Sequence, residues 1–377
     1  MPELTRKLEK LYSLQRVLPK ILDTASITER DIDSCYVTPQ LQVLAANSKV
    51  ENIDLESIFH SDCSGDLTRI LVEGEMGTGK TTIFSQKLPY DWALKKLFHN
   101  KFDYVFKINL KYLLNNWRQD QGYSRQDLTT PLVCFVHYLL QVEIAGYNDI
   151  QIDFSEIMDA LSAGNSDKIL FIVEEYDVRY EELKRKKDDP VVQKIIKEIF
   201  GFKNLIFTSK LDALPLNEKN KFQRIIETKG LSLNGVKEFI VKYFENQKTV
   251  SMHNQVSREL LLRILDDPQV NQLTRNPINL SMLCLVCSNS DAGKILAENF
   301  TIGKLYKFFV IWLAKRYVPE FRDATEQEIF TSKEFAALSE IALEALKENN
   351  VISGEKAQKI VLKYQLNLKN IYKIGFL

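Results

Sequence analysis

The sequence predicts an α/β protein: a mainly parallel sheet with helices on both faces, followed by a region built of helices alone. Three observations carry that reading. From Leu67 onward, short apolar runs alternate with amphipathic stretches, the rhythm of strands joined by crossover helices. A glycine-rich loop stands between the first of these runs and an amphipathic stretch. After Gly230 the strand signals stop, and apolar residues recur only at the three- and four-residue spacing of helices.

Taken in order, residues 1–66 read as a lead-in of helices and loops. Leu4, Leu8, Leu11, Leu14, Leu18 and Leu22 fall at helical spacing with Arg and Lys interleaved, unlike the unbroken apolar core of a signal peptide. The lead-in ends near Ile58 and Phe59, before the turn-like Ser61–Gly65. The strands are expected at Thr68–Val72, Tyr104–Ile108, Ile169–Val173, Leu205–Thr208 and, as a fifth candidate, Arg224–Thr228. Beyond Gly230, Val236, Phe239, Ile240, Tyr243 and Phe244 mark a helix, and further helices are expected at about Ser257–Leu265, Ile278–Cys287, Leu305–Ala314 and Ser332–Leu346.

Composition bounds the class. A chain of 377 residues is expected to divide into more than one unit, and 45% hydrophobic residues with only 14 Gly and 10 Pro describe ordered domains rather than linker. Fifty basic against fifty acidic side chains give zero net charge, which removes the overall positive field that draws a protein to nucleic acid or anionic membrane. The five cysteines are odd in number and mostly far apart, unlike a secreted disulfide framework, so a cytoplasmic protein is expected. No apolar run reaches the roughly 18 residues needed to span a bilayer.

The strand ending at Val72 runs into Gly74-Glu75-Met76-Gly77-Thr78-Gly79-Lys80-Thr81, the Walker A pattern of two glycines four residues apart followed by Lys and Ser or Thr. Its glycines let backbone N–H groups turn inward toward phosphate oxygens, and the helix that follows adds its positive end. Lys80 is expected on the β- and γ-phosphates and Thr81 on magnesium; the alternative is a glycine-rich structural turn. A phosphate-transfer site also needs carboxylates at the end of another strand. Ile169–Val173 runs into Glu174-Glu175-Tyr176-Asp177, which makes Glu174, Glu175 and Asp177 the candidate catalytic acids, with Glu174 also a magnesium ligand. Acids on a solvated loop are the plainer alternative. A third strand ends in Thr208-Ser209-Lys210, polar groups placed to sense the γ-phosphate or merely exposed.

With these motifs in place, residues from about 30 to the end resemble the NACHT ATPases of the STAND class, relatives of the animal NLR immune receptors. Arg69–Thr82, RILVEGEMGTGKTT, with Trp92-Ala93 after it, is similar to the family's P-loop form. Phe102–Leu110 resembles its second strand, and Phe207-Thr208-Ser209-Lys210 its sensor motif. Gly230-Leu231-Ser232 with Phe239, Ile240, Tyr243 and Phe244 resembles the start of its small helical domain. Arg275-Asn276-Pro277 resembles a turn whose proline packs near adenine, and Tyr36-Val37-Thr38-Pro39 the stretch that borders adenine from the other side.

The resemblance implies four parts: a helical lead-in with the adenine-side segment (1–66), a P-loop NTPase domain (67–229), a small helical domain (230–300) and a winged-helix region that begins at 301 and is incomplete at 377. It implies ATP or ADP with magnesium bound by Gly74–Thr82, with Tyr36, Val37 and Pro277 near the base. It further implies a nucleotide-controlled signalling switch of immune or defence type, self-association through the NTPase domain, a protein partner of unknown kind, and no membrane or nucleic acid. The family's Walker B reads Asp-Gly-x-Asp-Glu, where this chain has Glu174-Glu175-Tyr176-Asp177-Val178, and its sensor ends in Arg where this chain has Lys210. Slow hydrolysis is therefore expected; a turnover ATPase and a hydrolysis-deficient nucleotide-binding scaffold are the alternatives. The apolar residues Leu305, Phe308, Phe309 and Trp312 are expected to promote self-association unless other helices cover them.

Three lesser features are assigned to structure. Cys284 and Cys287 lie in an apolar helical run without the further ligands a zinc site needs. The histidines His60, His99, His137 and His253 are scattered, and Lys184-Arg185-Lys186-Lys187 reads as a solvated loop.

Overall fold

A computed structural model describes residues 2–18, 30–44, 50–60, 67–98, 100–114, 130–176, 189–245, 257–288 without 260 and 264, 301–347 without 318, and 354–366. Within these the chain forms two compact units, the first made of Met1–Lys20, Ser26–Lys248 and Thr274–Leu280, the second of Ile21–Ala25, Thr249–Leu273 and Ser281–Leu377.

The first unit is built on a seven-stranded sheet. Its strands are β3 (Leu41–Leu44), β4 (Val50–Ile53), β5 (Arg69–Gly74), β6 (Tyr104–Asn109), β7 (Ile169–Glu174), β8 (Asn204–Lys210) and β9 (Arg224–Thr228), in the order β4-β3-β9-β5-β8-β7-β6. A separate pair, β1 (Val17–Leu18) and β2 (Arg30–Asp31), is antiparallel. β9, β5, β8, β7 and β6 run parallel, and all five are the expected strands. Their residues explain their position: Ile70–Val72 and Leu170–Val173 are fully buried, because a strand covered on both faces has no solvent side on which to alternate.

The lead-in departs from the expectation of helices and loops. β3 and β4 form an antiparallel hairpin that lies antiparallel against β9 and extends the sheet by two strands. The N-terminal helix also stops sooner than the leucine spacing implies. α1 (Glu3–Leu14) buries Leu4, Leu8 and Leu11, but Leu14 is half exposed and Val17 and Leu18 are strand; Leu22 lies outside the described residues. α1 is fixed to the sheet by Tyr12, whose hydroxyl donates to the Val105 carbonyl at 3.0 Å, and to the helix Phe154–Ala160 by an ion pair of Lys7 with Glu156 at 2.8 Å.

After the loop that follows β5, a π-helical turn, Thr82–Lys87, runs into α2 (Leu88–Ala93). Trp92 closes α2 onto the next strand by donating its indole N–H to the Phe102 carbonyl at 3.0 Å. The crossovers are covered by α3 (Pro131–Ile144), α4 (Phe154–Ala160) and α5 (Pro190–Gly201). α5 starts cleanly because Asp189 accepts from the Val191 and Val192 N–H groups and Pro190 takes the first helical position. α6 (Leu233–Glu245) buries Val236, Ile240, Tyr243 and Phe244, as their spacing predicts.

The second unit is helical. α7 (Pro268–Thr274) was not expected, although Asp267 before Pro268 is a helix-start signature. α8 (Pro277–Cys287), whose residues to Leu280 belong to the first unit, α9 (Ile302–Tyr317), α10 (Glu326–Phe330), α11 (Lys333–Lys347) and α12 (Gly354–Lys363) follow. Ala337, Ile341, Ile360 and Val361 form one small core and Ala314, Phe321, Ile329 and Phe335 another. Phe308 is half-buried, whereas the side chains of Leu305, Phe309 and Trp312 lie outside the described residues.

Candidate functional site

The glycine loop leaves the end of β5, the strand flanked by β8 and β9. Its three glycines are required for different reasons. Gly77 and Gly79 have φ of +83° and +98°, backbone that L side chains rarely adopt. Gly74 is required by space: a Cβ there would lie 2.0 Å from Thr228 Oγ1 on β9. Thr78 ties the loop down, donating to the Glu75 carbonyl at 2.8 Å and meeting the Thr228 hydroxyl at 2.7 Å.

Lys80 reaches back over the loop, its ammonium 2.7 Å from the Gly74 carbonyl and 2.8 Å from that of Glu75. Glu75, Met76 and Thr81 are exposed, while Thr82 is half-buried. The sensor lysine comes to the same place from β8: Lys210 is the register partner of Gly74, and the next N–H, of Leu211, donates to the Gly74 carbonyl at 3.1 Å.

Glu174 ends β7 opposite Asn109 of β6, whose amide donates to its Oε2 at 3.2 Å. Its other oxygen, Oε1, is buried, and the Ser85 hydroxyl on the helix that follows the loop hydrogen-bonds the carboxyl group. Burial pushes the Glu174 carboxyl above its ordinary value; the nearby Ser85 hydroxyl and the Lys107 ammonium oppose that shift, and the charges of Glu175 and Glu143 add to it. Glu175 turns away to solvent at φ +54°, left-handed backbone for a non-glycine residue, with its N–H on Thr208 Oγ1 at 3.1 Å. Tyr176 is buried and donates to Glu218 at 3.0 Å. Asp177, with Val178, lies outside the described residues.

The two segments expected at the base sit differently from each other. Pro277 opens α8, and Asn276 before it does double duty: its Oδ1 accepts from the Ile278 N–H at 3.0 Å, and its Nδ2 donates to the Met76 carbonyl in the loop at 2.8 Å. A Cβ on Gly77 would meet the same Asn276 side chain at 2.6 Å. On the other side it is Pro39, rather than Tyr36 or Val37, that approaches the loop, its Cγ 3.0 Å from where a Gly79 Cβ would stand. The Tyr36 ring lies under the Lys87 ammonium at 5.4 Å, and Val37 lies 3.4 Å from where a Gly235 Cβ would stand. Asn276 and Pro39 belong to motifs visible in the sequence, but nothing local distinguishes which residue of each touches the loop.

Glu73, also missed, is buried on β5 and paired at 2.8 Å with Lys219, which in turn holds Asp212 at 3.0 Å. Thr81, Ser85, Asn109 and Glu174 line a cavity of about 430 Å³. No cluster of three or more His, Cys, Asp or Glu side chains able to hold a metal occurs among the described residues. Cys284 and Cys287 are buried, and burial pushes the Cys287 thiol up to about 12. His137 is packed against Phe154 and Gln141. His99, His253 and Lys184–Lys187 lie outside the described residues.

A parallel sheet with a Walker A loop at the end of a strand flanked on both sides, and an acid-ended strand one place removed, defines a P-loop NTPase of α/β architecture. Residues 68–247 match the model of the NACHT domain, and the chain carries that domain. Two curated relatives are "NACHT, LRR and PYD domains-containing protein 3" of Bos taurus, 26% identical over 283 residues, and its namesake of Mus musculus, 25% identical over 307 residues. These alignments take in 70% and 76% of this chain but only 24% and 26% of the relatives, so the chain spans about a quarter of their length. Among solved structures, the Aeropyrum pernix ORC2 protein aligns over 82% of this chain and 81% of its own at 13% identity and a TM-score of 0.34, too loose a likeness to bear on chemistry. No described helix is long and apolar enough to cross a membrane.

Proposed function

We propose that the chain binds ATP or ADP with magnesium at the Gly74–Thr82 loop and works as a slow nucleotide-controlled switch in immune or defence-type signalling in the cytoplasm. The observation that supports it most is the convergence on one loop: two left-handed glycines, the Lys80 ammonium at the loop carbonyls, Lys210 in register with Gly74, and Asn276 on the Met76 carbonyl. These groups offer N–H donors and positive charge where phosphate oxygens would lie.

The donor set fits magnesium. Thr81 and Glu174 line one cavity, and a hydroxyl and a carboxylate are the hard oxygen ligands that magnesium takes. Magnesium, when bound, neutralises charge on the phosphates. Glu174 and Thr81 would hold it; Glu175, strained and exposed, and Asp177 are the remaining candidates for orienting water. Asn109 fixes the Glu174 carboxylate, and the burial that favours its protonated form works against continuous turnover, in keeping with slow hydrolysis. Tyr36, Val37 and Pro277 remain the candidates beside the base, with self-association through the NTPase domain as the output of the switch.

Titration with fluorescent ATP and ADP analogues, with and without magnesium, tests the reading. Binding of both, strengthened by magnesium and followed by light-scattering growth with ATP but not ADP, is the expected result. Absence of nucleotide binding by the folded protein would overturn it.

A further inference from the structure

The helical turn Leu216–Lys219 follows the loop that leaves β8 at Lys210, and two adjacent side chains on it reach three strand ends of the first unit. Lys219 pairs with Glu73, the β5 residue directly before Gly74, at 2.8 Å, and with Asp212, two residues beyond Lys210, at 3.0 Å. Glu218 accepts from the hydroxyl of Tyr176, two residues beyond Glu174, at 3.0 Å, and from Lys221 at 2.7 Å. The glycine loop, the acidic strand and the sensor strand are thereby tied to one turn of four residues.

Local rules account for the turn but not for these reaches. Pro215 fixes its start, with its carbonyl accepting from the Glu218 and Lys219 N–H groups at 2.9 and 3.1 Å. A helical turn this short has no stability of its own, and Leu216 on it is exposed. Leu214 anchors its approach, and the charged contacts hold the turn itself. Glu73 and Glu218 are both buried, and a carboxylate in that position is retained only with a partner. Asp212 differs: its side chain is 82% exposed, and its backbone stands at φ +53°, a left-handed conformation that costs a non-glycine residue free energy. That bend brings its carboxylate onto Lys219, so the strained residue and the buried pair share one ammonium.

Lys210 stands inside the same bend. What places it is backbone: its register with Gly74, the Leu211 N–H on the Gly74 carbonyl at 3.1 Å, and the Ser209 hydroxyl on its own carbonyl at 3.0 Å. Glu73 lies one residue before Gly74 and Asp212 two after Lys210, so the Lys219 bridge closes a ring across the β5–β8 seam just past its last ladder hydrogen bond.

We infer that Lys219 is a positioning residue for nucleotide sensing: by holding Glu73 and Asp212 to one ammonium, it sets Lys210 at the distance from the glycine loop at which a γ-phosphate is read. Glu218 extends the same turn to the segment behind Glu174. The inference rests on the proposed phosphate site and names the group that lets it tell a nucleoside triphosphate from a diphosphate. A side chain that must stand within hydrogen-bond reach of one oxygen is sensitive to shifts of about 1 Å, so loosening the bend loses the γ-phosphate contact and spares those made by the loop itself.

The test uses the whole chain and two probes, Mg-ADP and a non-hydrolysable Mg-ATP analogue, measured by displacement of a fluorescent nucleotide. Lys219→Met should lose about tenfold in affinity for the ATP analogue, the cost of a charge-assisted hydrogen bond, and keep wild-type affinity for ADP. Lys210→Ala should show the same selective loss. Lys210→Ala combined with Lys219→Met should lose no more than Lys210→Ala alone, because Lys219 acts through Lys210. Lys219→Met leaves Glu73 buried without its cation, so Glu73→Gln with Lys219→Met, a neutral pair, is measured beside it. That pair should keep the wild-type thermal midpoint and still show the selective loss. Equal weakening of both nucleotides, a wild-type ratio of the two affinities in a folded variant, or additive losses would overturn the inference and leave the nucleotide reading intact. A wild-type chain that binds neither nucleotide removes the nucleotide reading, and the inference with it.

Discussion

At the scale of single residues, charge placement decides the predictions. Lys80 holds its ammonium against two loop carbonyls, so it is already positioned where the β- and γ-phosphates are proposed. Removing a charged hydrogen-bonding partner costs about 1.5–3 kcal/mol, and Lys80→Ala should lose at least about tenfold in nucleotide affinity at unchanged stability. Fluorescent-nucleotide titration reads it; wild-type affinity would remove the loop from the reading. Glu174 makes a prediction of opposite kind. Burial raises its carboxyl above the ordinary 4.5, so the folded chain holds that proton more tightly than the unfolded one. Its contribution to stability is therefore full at low pH and is lost as pH rises from about 4.5 through the raised value. Thermal midpoints taken across that range should fall for the wild type relative to Glu174→Gln, which carries no titrating proton. Parallel curves would show that the carboxyl is not buried in solution.

At the scale of elements, two contacts fix the loop to its surroundings. Gly74 sits against β9 so closely that a methyl group would overlap Thr228 Oγ1, and overpacking of this kind costs about 1–3 kcal/mol. Gly74→Ala should unfold correspondingly earlier in urea, and Thr228→Ala in the same chain should recover part of the loss. The recovery should be partial because the Thr228 carbonyl and the Thr78 hydroxyl also crowd that position, at 3.0 and 2.9 Å. Additive losses would place the strain elsewhere. Asn276 caps α8 and holds the Met76 carbonyl at once. Asn276→Ala should cost about 0.5–2 kcal/mol as a lost cap, and should also loosen the loop, read as faster hydrogen exchange at Gly77 and Thr78. Asn276→Asp keeps the acceptor that caps the helix but loses the donor, so it should recover stability and leave exchange fast.

At the scale of the whole molecule, the division of the core matters. The first unit has one large core running from α1 through the sheet, while among the described residues the second has two small clusters on α9–α12 beside separately buried side chains such as Leu261, Val270 and Leu283. Calorimetry should therefore resolve two transitions, the lower from the second unit. Nucleotide at a hundred times its dissociation constant adds about 2.7 kcal/mol to whatever binds it, so Mg-ADP should move the upper transition alone. A single transition that moves as one would show that the units unfold together. Limited proteolysis at intermediate temperature gives an independent check, with the first unit persisting.

Much of this was legible in the residues themselves. The five parallel strands appear as unbroken apolar runs because each is buried on both faces, and the glycine loop is recognisable because backbone that approaches phosphate tolerates few other residues. The β3–β4 hairpin escaped notice because β4, VENI, is a four-residue edge strand with exposed side chains and no apolar period. α1 ended early for a similar reason: leucine spacing is blind to the pairing of Val17 and Leu18 with β2. The motifs named the right neighbourhoods of the loop, but only the fold selected Asn276 and Pro39 within them, across separations of 200 and 40 residues from Met76 and Gly79. The cavity is the extreme case, assembled from α1, the turn after the loop, two strands and α3, none of which carries a sign of it alone. Periodicity and motif report what a residue does with its near neighbours in the chain, and they determined the strands, the loop and the class; which distant side chains meet is decided only when the sheet closes.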